Sequence, residues 1–96
     1  MSSYVLSPRA REDLEEIWSY TADRWGEDQA DHYVLRLHRA IETVADDPDR
    51  GRSCDHLRPG YRKYSVAAHV LFFRLVTDGI EVVRVLHQRM DFERHL

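Results

Sequence analysis

The sequence predicts an α+β fold, an antiparallel helix hairpin packed on one face of a small, mainly antiparallel sheet. The predicted chain order is β-α-α-β-β-β, followed by a short C-terminal element. Three observations carry this reading. Apolar residues recur at helical spacing through most of the first half. Three strand-like runs, Tyr61–Val66, His69–Val76 and Ile80–His87, fill the second. Between the last two lies Asp78-Gly79, a two-residue hairpin signal whose positions both favour positive φ.

Taken in order, Tyr4-Val5-Leu6 is a short strand candidate. Ser7-Pro8 opens a helix, with Ser7 as N-cap and Pro8 at the first helical position, where a missing N–H costs nothing. Ala10, Leu14, Ile17, Trp18, Thr21 and Trp25 form its apolar stripe, so both tryptophans are expected to pack in the core or close the hairpin. Glu12, Asp13, Glu15 and Glu16 read as a solvated helix start that suits the dipole. Gly26 ends this helix. A second runs from about Asp28 to Ala45, with Ala30, Tyr33, Val34, Leu37, Ile41 and Val44 inward, and Asp46-Asp47-Pro48-Asp49 stops it.

Placing the turn at Asp78-Gly79 pairs Thr77 with Ile80 and sets the hairpin register. Leu75 then faces Val82, Phe73 faces Arg84 and Leu71 faces Leu86 on the side that receives the helices. Arg74 with Val83, Phe72 with Val85 and Val70 with His87 fall on the other side. That second face, with Arg74, Glu81 and His87, is expected to be the outer, functional one. Arg84, directed toward the helices, requires an acidic helix residue as partner. Residues 90–96 form a short amphipathic tail with Met90, Phe92 and Leu96 as its apolar members.

Ninety-six residues fit one domain, residues 1–96. No apolar run approaches a membrane span, and the N-terminus lacks the basic-then-apolar layout of a signal peptide. The lone cysteine, Cys54, has no partner for an internal disulfide, which fits a cytoplasmic protein and a plain loop role for this residue. Net charge is −3, unevenly spread: residues 1–49 carry twelve acidic and five basic side chains, residues 50–96 five acidic and nine basic. The surplus of four positive charges in the second half is weak for a free-standing nucleic-acid binder and suits an acidic protein partner at least as well.

The six histidines show no metal-ligand spacing, no glycine loop cradles phosphate, and no nucleophile accompanies a base motif. No cofactor or metal is expected. The residual candidate for acid–base chemistry is His87, with Arg74 or Arg62 to hold a phosphate. A strand-end histidine bonded locally is the plainer role. The basic, turn-rich segment Arg50–Tyr64 reads as a connector whose exit residues, Arg58, Tyr61 and Arg62, are the ones to test for function.

A family pattern runs through these residues. Tyr4-Val5-Leu6-Ser7-Pro8-x-Ala10, Asp13-Leu14-Glu15-Glu16-Ile17-Trp18, Trp25-Gly26 with Gln29-Ala30, and Arg58-Pro59-Gly60-Tyr61-Arg62 resemble ParE-type toxins of the RelE/ParE superfamily. So do His69, Phe72-Phe73-Arg74, and Val83-Arg84-Val85-Leu86-His87 with Met90-Asp91. The resemblance implies the same fold and the toxin of a type II toxin–antitoxin system. It implies inhibition of DNA gyrase by binding, without a catalytic site, and neutralisation by a ParD-like antitoxin. The acidic–apolar arm of that antitoxin would wrap the helix hairpin and sheet edge, and DNA would be met only through the antitoxin. Target contacts would then be Arg58, Tyr61, Arg62, Arg74, His87 and Met90, which combine charge with anchor groups. RelE-like toxins of the same superfamily cut messenger RNA on the ribosome, and a nuclease of that kind would use Arg62, Arg74 and His87. Val70 stands where such an enzyme would carry a phosphate-binding arginine, and Asp46, Asp47 and Asp49 disfavour RNA. A third possibility is an inactive relative retained as an antitoxin-binding module.

Overall fold

Ser7 joins sheet to helix. The computed structural model describes residues 3–96, beginning with strand β1, Ser3–Leu6. Ser7 follows in an extended conformation (φ −65°, ψ 160°). Its Oγ accepts the Ala10 N–H at 3.0 Å and donates to the Val83 carbonyl at 2.7 Å, so the helix cap is also a tie to the sheet. Helix α1 spans Pro8–Trp25 and α2 spans Glu27–Asp46. The single residue between them, Gly26, has φ 94°, a left-handed value that a side chain rarely adopts. Trp18 locks the hairpin laterally, its Nε1–H donating to Asp31 at 2.8 Å.

After a 3-10 turn at Pro48–Arg50 come β2 (Arg52–Ser53), β3 (Tyr61–Val66), β4 (His69–Val76), β5 (Gly79–His87) and the single-turn α3 (Phe92–His95). The sheet order is β1-β5-β4-β3-β2. Only β1 runs parallel to its neighbour: the helix hairpin carries the chain across the sheet to β2 at the opposite edge, and β3 and β4 lead back to β5 beside β1. The architecture is the expected α+β one, with β2 as a strand where the sequence suggested only connector.

Two apolar clusters sandwich the sheet. On the helix side Leu14, Leu37, Ile41 and Val44 meet Leu71, Phe73, Ile80, Val82 and Val85. On the far side Cys54, Val70, Phe72 and Leu86 are covered by Leu57, Tyr61, Phe92 and Leu96. The tail is therefore an ordered lid. Phe92 meets Phe72 edge-on at 4.8 Å, and Arg58 donates to the main-chain oxygen of Leu96 at 2.6 and 3.2 Å.

The register of the central hairpin differs from the expected one. The turn is Thr77-Asp78, closed by Val76 opposite Gly79, and Asp78 alone of the pair Asp78-Gly79 has positive φ (68°). Gly79 serves a different need. A Cβ there would strike the main-chain oxygen of Ser3, so glycine admits the β1 backbone. Farther along, a bulge at Phe72/Phe73 advances β5 by one residue, giving Phe72 opposite Arg84, Leu71 opposite Val85 and His69 opposite His87. Every β5 residue past Val83 thus lies on the face opposite to expectation. Val85 and His87 join the helix side, while Arg84 and Leu86 turn outward. The bulge lets β5 bury both Val82 and Val85 beneath the helices, a three-residue spacing that a regular strand forbids.

Two helix expectations also need correction. Asp13 is buried rather than solvated. Trp25 is 62% exposed rather than packed in the core. Burial along the α1 stripe fades from Ala10 and Leu14 through half-buried Ile17 and Thr21 to Trp25, because the closed end of the hairpin stands clear of the sheet.

Candidate functional site

The residues singled out by sequence divide into two places. Arg58, Tyr61, Arg62 and Arg74 gather at the β2–β3 end of the sheet. Tyr61 lies opposite Arg74 in the β3–β4 ladder, and Tyr61, Arg62 and Arg74 line a concavity of about 520 Å³ with Pro59, Gly60 and exposed Leu75. Each arginine already has a partner. Arg62 contacts Asp49 at 3.1 Å, Arg74 contacts Glu81 at 2.7 Å, and Arg58 holds the tail. The Glu81 carboxylate raises the Arg74 pKa above its ordinary value. Tyr61 is half-buried against the far-side cluster and anchors the strand.

His87 and Met90 lie elsewhere. On β4, His69, which pairs with His87, is five residues from Arg74, roughly 17 Å along the strand. His87 is also on the helix side, with Arg74 on the far side. The trio Arg62, Arg74 and His87 therefore does not converge on one reacting centre.

His87 instead belongs to a groove between the helix hairpin and the end of the sheet. Its walls include Tyr20, Trp25, Tyr33, His69 and His87, with Thr21 and Gln29 contributing polar groups, and its volume is about 520 Å³. A second hollow of about 480 Å³ shares Tyr20, Thr21, His69 and His87 and continues past Arg9 and Glu16 toward Met90. Together they make one channel running across α1. At its centre the Tyr33 hydroxyl and His69 Nδ1 share a 2.6 Å hydrogen bond, and the His69 and His87 rings stand 5.3 Å apart, edge to face. Burial, then the neighbouring His87, push the His69 pKa down to about 4 against a smaller opposing pull from Asp13. The imidazole is therefore neutral at physiological pH. Burial likewise raises the Tyr33 hydroxyl, outweighing the opposing effects of the Ala68 backbone and Arg36. His87 Nδ1 accepts the Arg89 N–H at 3.1 Å.

The mouth of this channel carries an exposed aromatic group. Tyr20 and Trp25 meet edge to face at 6.5 Å, with the Arg24 guanidinium 5.5 Å from each ring. The sequence placed Trp25 in the core or at the closing of the hairpin, and His69 in the family pattern without a role in the site. The helical stripe reveals no helix overhang, and the bulge that brings His69 opposite His87 leaves no local mark.

Arg84 and Asp13 brace the channel floor. Since β1 stops at Leu6, β5 has an open edge beyond Val82, and α1 crosses it. Asp13 accepts the Val85 N–H at 2.9 Å and receives Arg84 Nε and Nη2 at 2.8 and 2.9 Å. Arg84 Nη1 reaches the His95 carbonyl at 2.8 Å. The Asp13 hydrogen bond raises the arginine pKa against the cost of burial. The expected acidic helix partner is present, reached from the outer face around the strand edge.

Residues 4–92 match the family model described as the ParE toxin of the type II toxin–antitoxin system parDE. The chain belongs to the ParE toxin family. Among its relatives, Toxin ParE1 of Mycobacterium tuberculosis (strain H37Rv) is 56% identical over 96 residues, covering 99% of this chain and 98% of the relative. Toxin ParE1 of Caulobacter vibrioides is 44% identical over 96 residues, covering 100% and 99%. In fold, the chain superposes with a TM-score of 0.79 on a chain of the chromosomal ParDE system from P. aeruginosa, at 19% identity, with 91% of this chain and 96% of that one covered. The fold, two helices on a five-stranded sheet in the order β-α-α-β-β-β-β-α, is thus shared with that ParDE chain, and this chain is the toxin component of a type II toxin–antitoxin system.

Proposed function

We propose that this ParE-family toxin arrests growth by binding DNA gyrase, without an active site of its own, and is held silent in the cytoplasm by a ParD-like antitoxin. The separation of Arg62 and Arg74 from His87 carries the reading. A nuclease needs its proton-transfer group and its phosphate-holding cations within hydrogen-bond reach of one substrate. Arg74 and His87 are instead divided by the thickness of the sheet and most of the length of β4. The remaining nucleophile candidate, Cys54, is fully buried in the far-side cluster, and desolvation raises its thiol pKa despite the opposing field of Lys63.

Recognition has better support. Arg58, Tyr61, Arg62 and Arg74 present one end of the sheet to the target, and His87 and Met90 extend contact along the channel. The antitoxin arm lies in that channel, with an apolar residue against Tyr20, Trp25 and Tyr33. A large aromatic residue flanked by an arginine is the composition of an interface anchor.

Supercoiling by purified gyrase, measured with and without this protein, tests the reading. Loss of supercoiling or accumulation of cleaved complexes supports it, and untouched supercoiling at excess toxin refutes it. Codon-specific cutting of ribosome-bound transcripts, abolished by His87→Ala, would put the nuclease reading in its place. An intact chain that fails to slow growth when expressed alone would identify an antitoxin-binding module.

A further inference from the structure

The segment that feeds the sheet carries cations on a fixed backbone. The 3-10 turn Pro48–Arg50 is followed by Gly51, which lies so near the Phe73 ring that a Cβ would strike it. That contact pins the chain to the sheet, with Arg50 and Arg52 on either side of it. Arg52 then pairs with Lys63 across the β2–β3 ladder. Arg50, Arg52, Lys63, Tyr64 and Ser65 line a hollow of about 390 Å³.

The polar groups of this hollow are open to a ligand. Among the described residues, Arg52 and Lys63 have no carboxylate within 4.0 Å, and Arg50 has only a loose, exposed contact with Asp47 at 3.7 Å. The Tyr64 ring packs against the helix-side core, yet its hydroxyl meets solvent. Ser65 is exposed. Asp46, Asp47 and Asp49 lie just upstream and oppose an anion, although Asp49 is engaged by Arg62. Guanidinium, ammonium and hydroxyl donors together are the set that grips the phosphates of a nucleic-acid backbone. The one aromatic ring is committed to the core, so an unstacked base finds no platform, which disfavours single strands. No Asn or Gln lines the hollow to read base edges.

We infer that this hollow is a contact for the phosphate backbone of duplex DNA, independent of base sequence. The family resemblance implied that DNA is met only through the antitoxin. The hollow lets the toxin touch the duplex itself and add to the grip of a DNA-bound protein it joins. Three cations give a weak, salt-sensitive contact rather than a free-standing complex. The contact lies away from the helix–sheet channel and does not require gyrase to be the target.

Anisotropy of a short labelled duplex, titrated with the protein over a range of salt, tests this. The logarithm of the binding constant should fall against that of salt with a slope of about −2.7, from three cations at about 0.9 each. Arg52→Gln/Lys63→Gln, checked for unchanged circular dichroism, should bring the slope to about −0.9 and weaken low-salt binding at least about tenfold. Arg11→Gln/Arg36→Gln removes two exposed cations elsewhere and should leave the slope unchanged. Should the first variant misfold, amide shifts of the wild-type protein on adding duplex decide the matter, and they are expected at Arg52, Lys63, Tyr64 and Ser65. Shifts confined to other residues, an equal loss of slope in both variants, or no salt-dependent binding overturns the site. Tighter binding of single-stranded RNA overturns the choice of duplex DNA, and tighter binding of a polyglutamate peptide overturns the choice of nucleic acid. Inorganic phosphate that displaces the duplex at equal phosphate concentration overturns it in favour of a free anion. Gyrase is absent from the assay, so its outcome is separate from that of the supercoiling test.

Discussion

Removing the Asp13 carboxylate should be among the most damaging single changes available in this chain. Both side chains of the Asp13–Arg84 pair are about nine-tenths buried, and the carboxylate takes two guanidinium N–H groups and the Val85 amide. Asp13→Ala leaves a buried cation with only the His95 carbonyl and orphans a main-chain N–H. Breaking one side of a buried pair costs about 3–5 kcal/mol. Because Arg84 keeps one acceptor, the lower part of that range, about 3–4 kcal/mol, is the expectation. A chain of this length has about 5–14 kcal/mol in total, so the variant should unfold roughly 15–25 °C lower in a thermal melt. The informative control is Asp13→Leu with Arg84→Met. It removes both charges and leaves the Val85 N–H and the part-buried His95 carbonyl without those partners, so it should recover to within about 1–2 kcal/mol of the parent in urea titration. A loss below about 1 kcal/mol for Asp13→Ala would refute the reasoning, since the pair would then behave as an exposed ion pair. A double variant no more stable than the single one would equally refute it.

Further outcomes follow from the same geometry. His69 has its folded pKa depressed to about 4 from 6.5, so between those values the unfolded chain binds the proton and the native chain does not. Its stabilising contribution is full above pH 6.5 and is lost as pH falls toward 4, amounting to about 1–2 kcal/mol after allowing for partial exposure; urea midpoints from pH 7 to 5 should show this slope, and His69→Phe should flatten it. Gly51→Ala places a Cβ 2.7 Å from Phe73 Cε1 and should cost about 1–3 kcal/mol in the same assay, with no change at Gly60→Ala attributable to crowding, since that position meets no atom within 4 Å. Trp25→Ala should leave the melting temperature nearly unchanged while weakening binding of a ParD-like antitoxin by at least about tenfold in calorimetry. Native Cys54 should react with a thiol reagent only as fast as the chain opens, and rapidly in urea.

The elements written in local chemistry were legible in the sequence. Ser7-Pro8 announces a capped helix, Gly26 a hairpin break, and the apolar spacing of Ala30, Leu37, Ile41 and Val44 the buried face of α2; all four of those residues are buried. Thr77-Asp78-Gly79 announces a turn, but assigning it to Asp78-Gly79 rested on the usual need for positive φ in tight hairpins. Here glycine answers a steric demand from Ser3, a residue distant in sequence. The two-residue strand β2 leaves no periodic trace because two residues contain no period. Of the candidate site, the pairing of Tyr61 with Arg74 needed a β3–β4 register that the Asp78-Gly79 turn does not set, and Arg58 is bound to a tail whose docking depends on Phe72, Leu86 and Tyr61 forming a second core.

The bulge at Phe72/Phe73 shows why the remaining site was not legible. A one-residue slip reverses the facing of every side chain beyond it, so a local irregularity redistributes four residues between two surfaces. With a regular ladder, Val85 would leave the helix core and Arg84 would enter it, burying a guanidinium among Leu37, Ile41 and Val44. The bulge avoids that cost and buries valine instead. It also leaves Arg84 at the strand edge, close enough for Asp13 to neutralise it while satisfying the Val85 amide. The same slip carries His87 over to His69 and Tyr33. The stability of the core and the facing of His87 away from Arg74 are thus one structural fact. A regular strand would return His87 to the face of Arg74 yet leave the two most of β4 apart, and it would require exchanging Arg84 and Val85, and with them the Asp13 contact that secures α1 to the sheet.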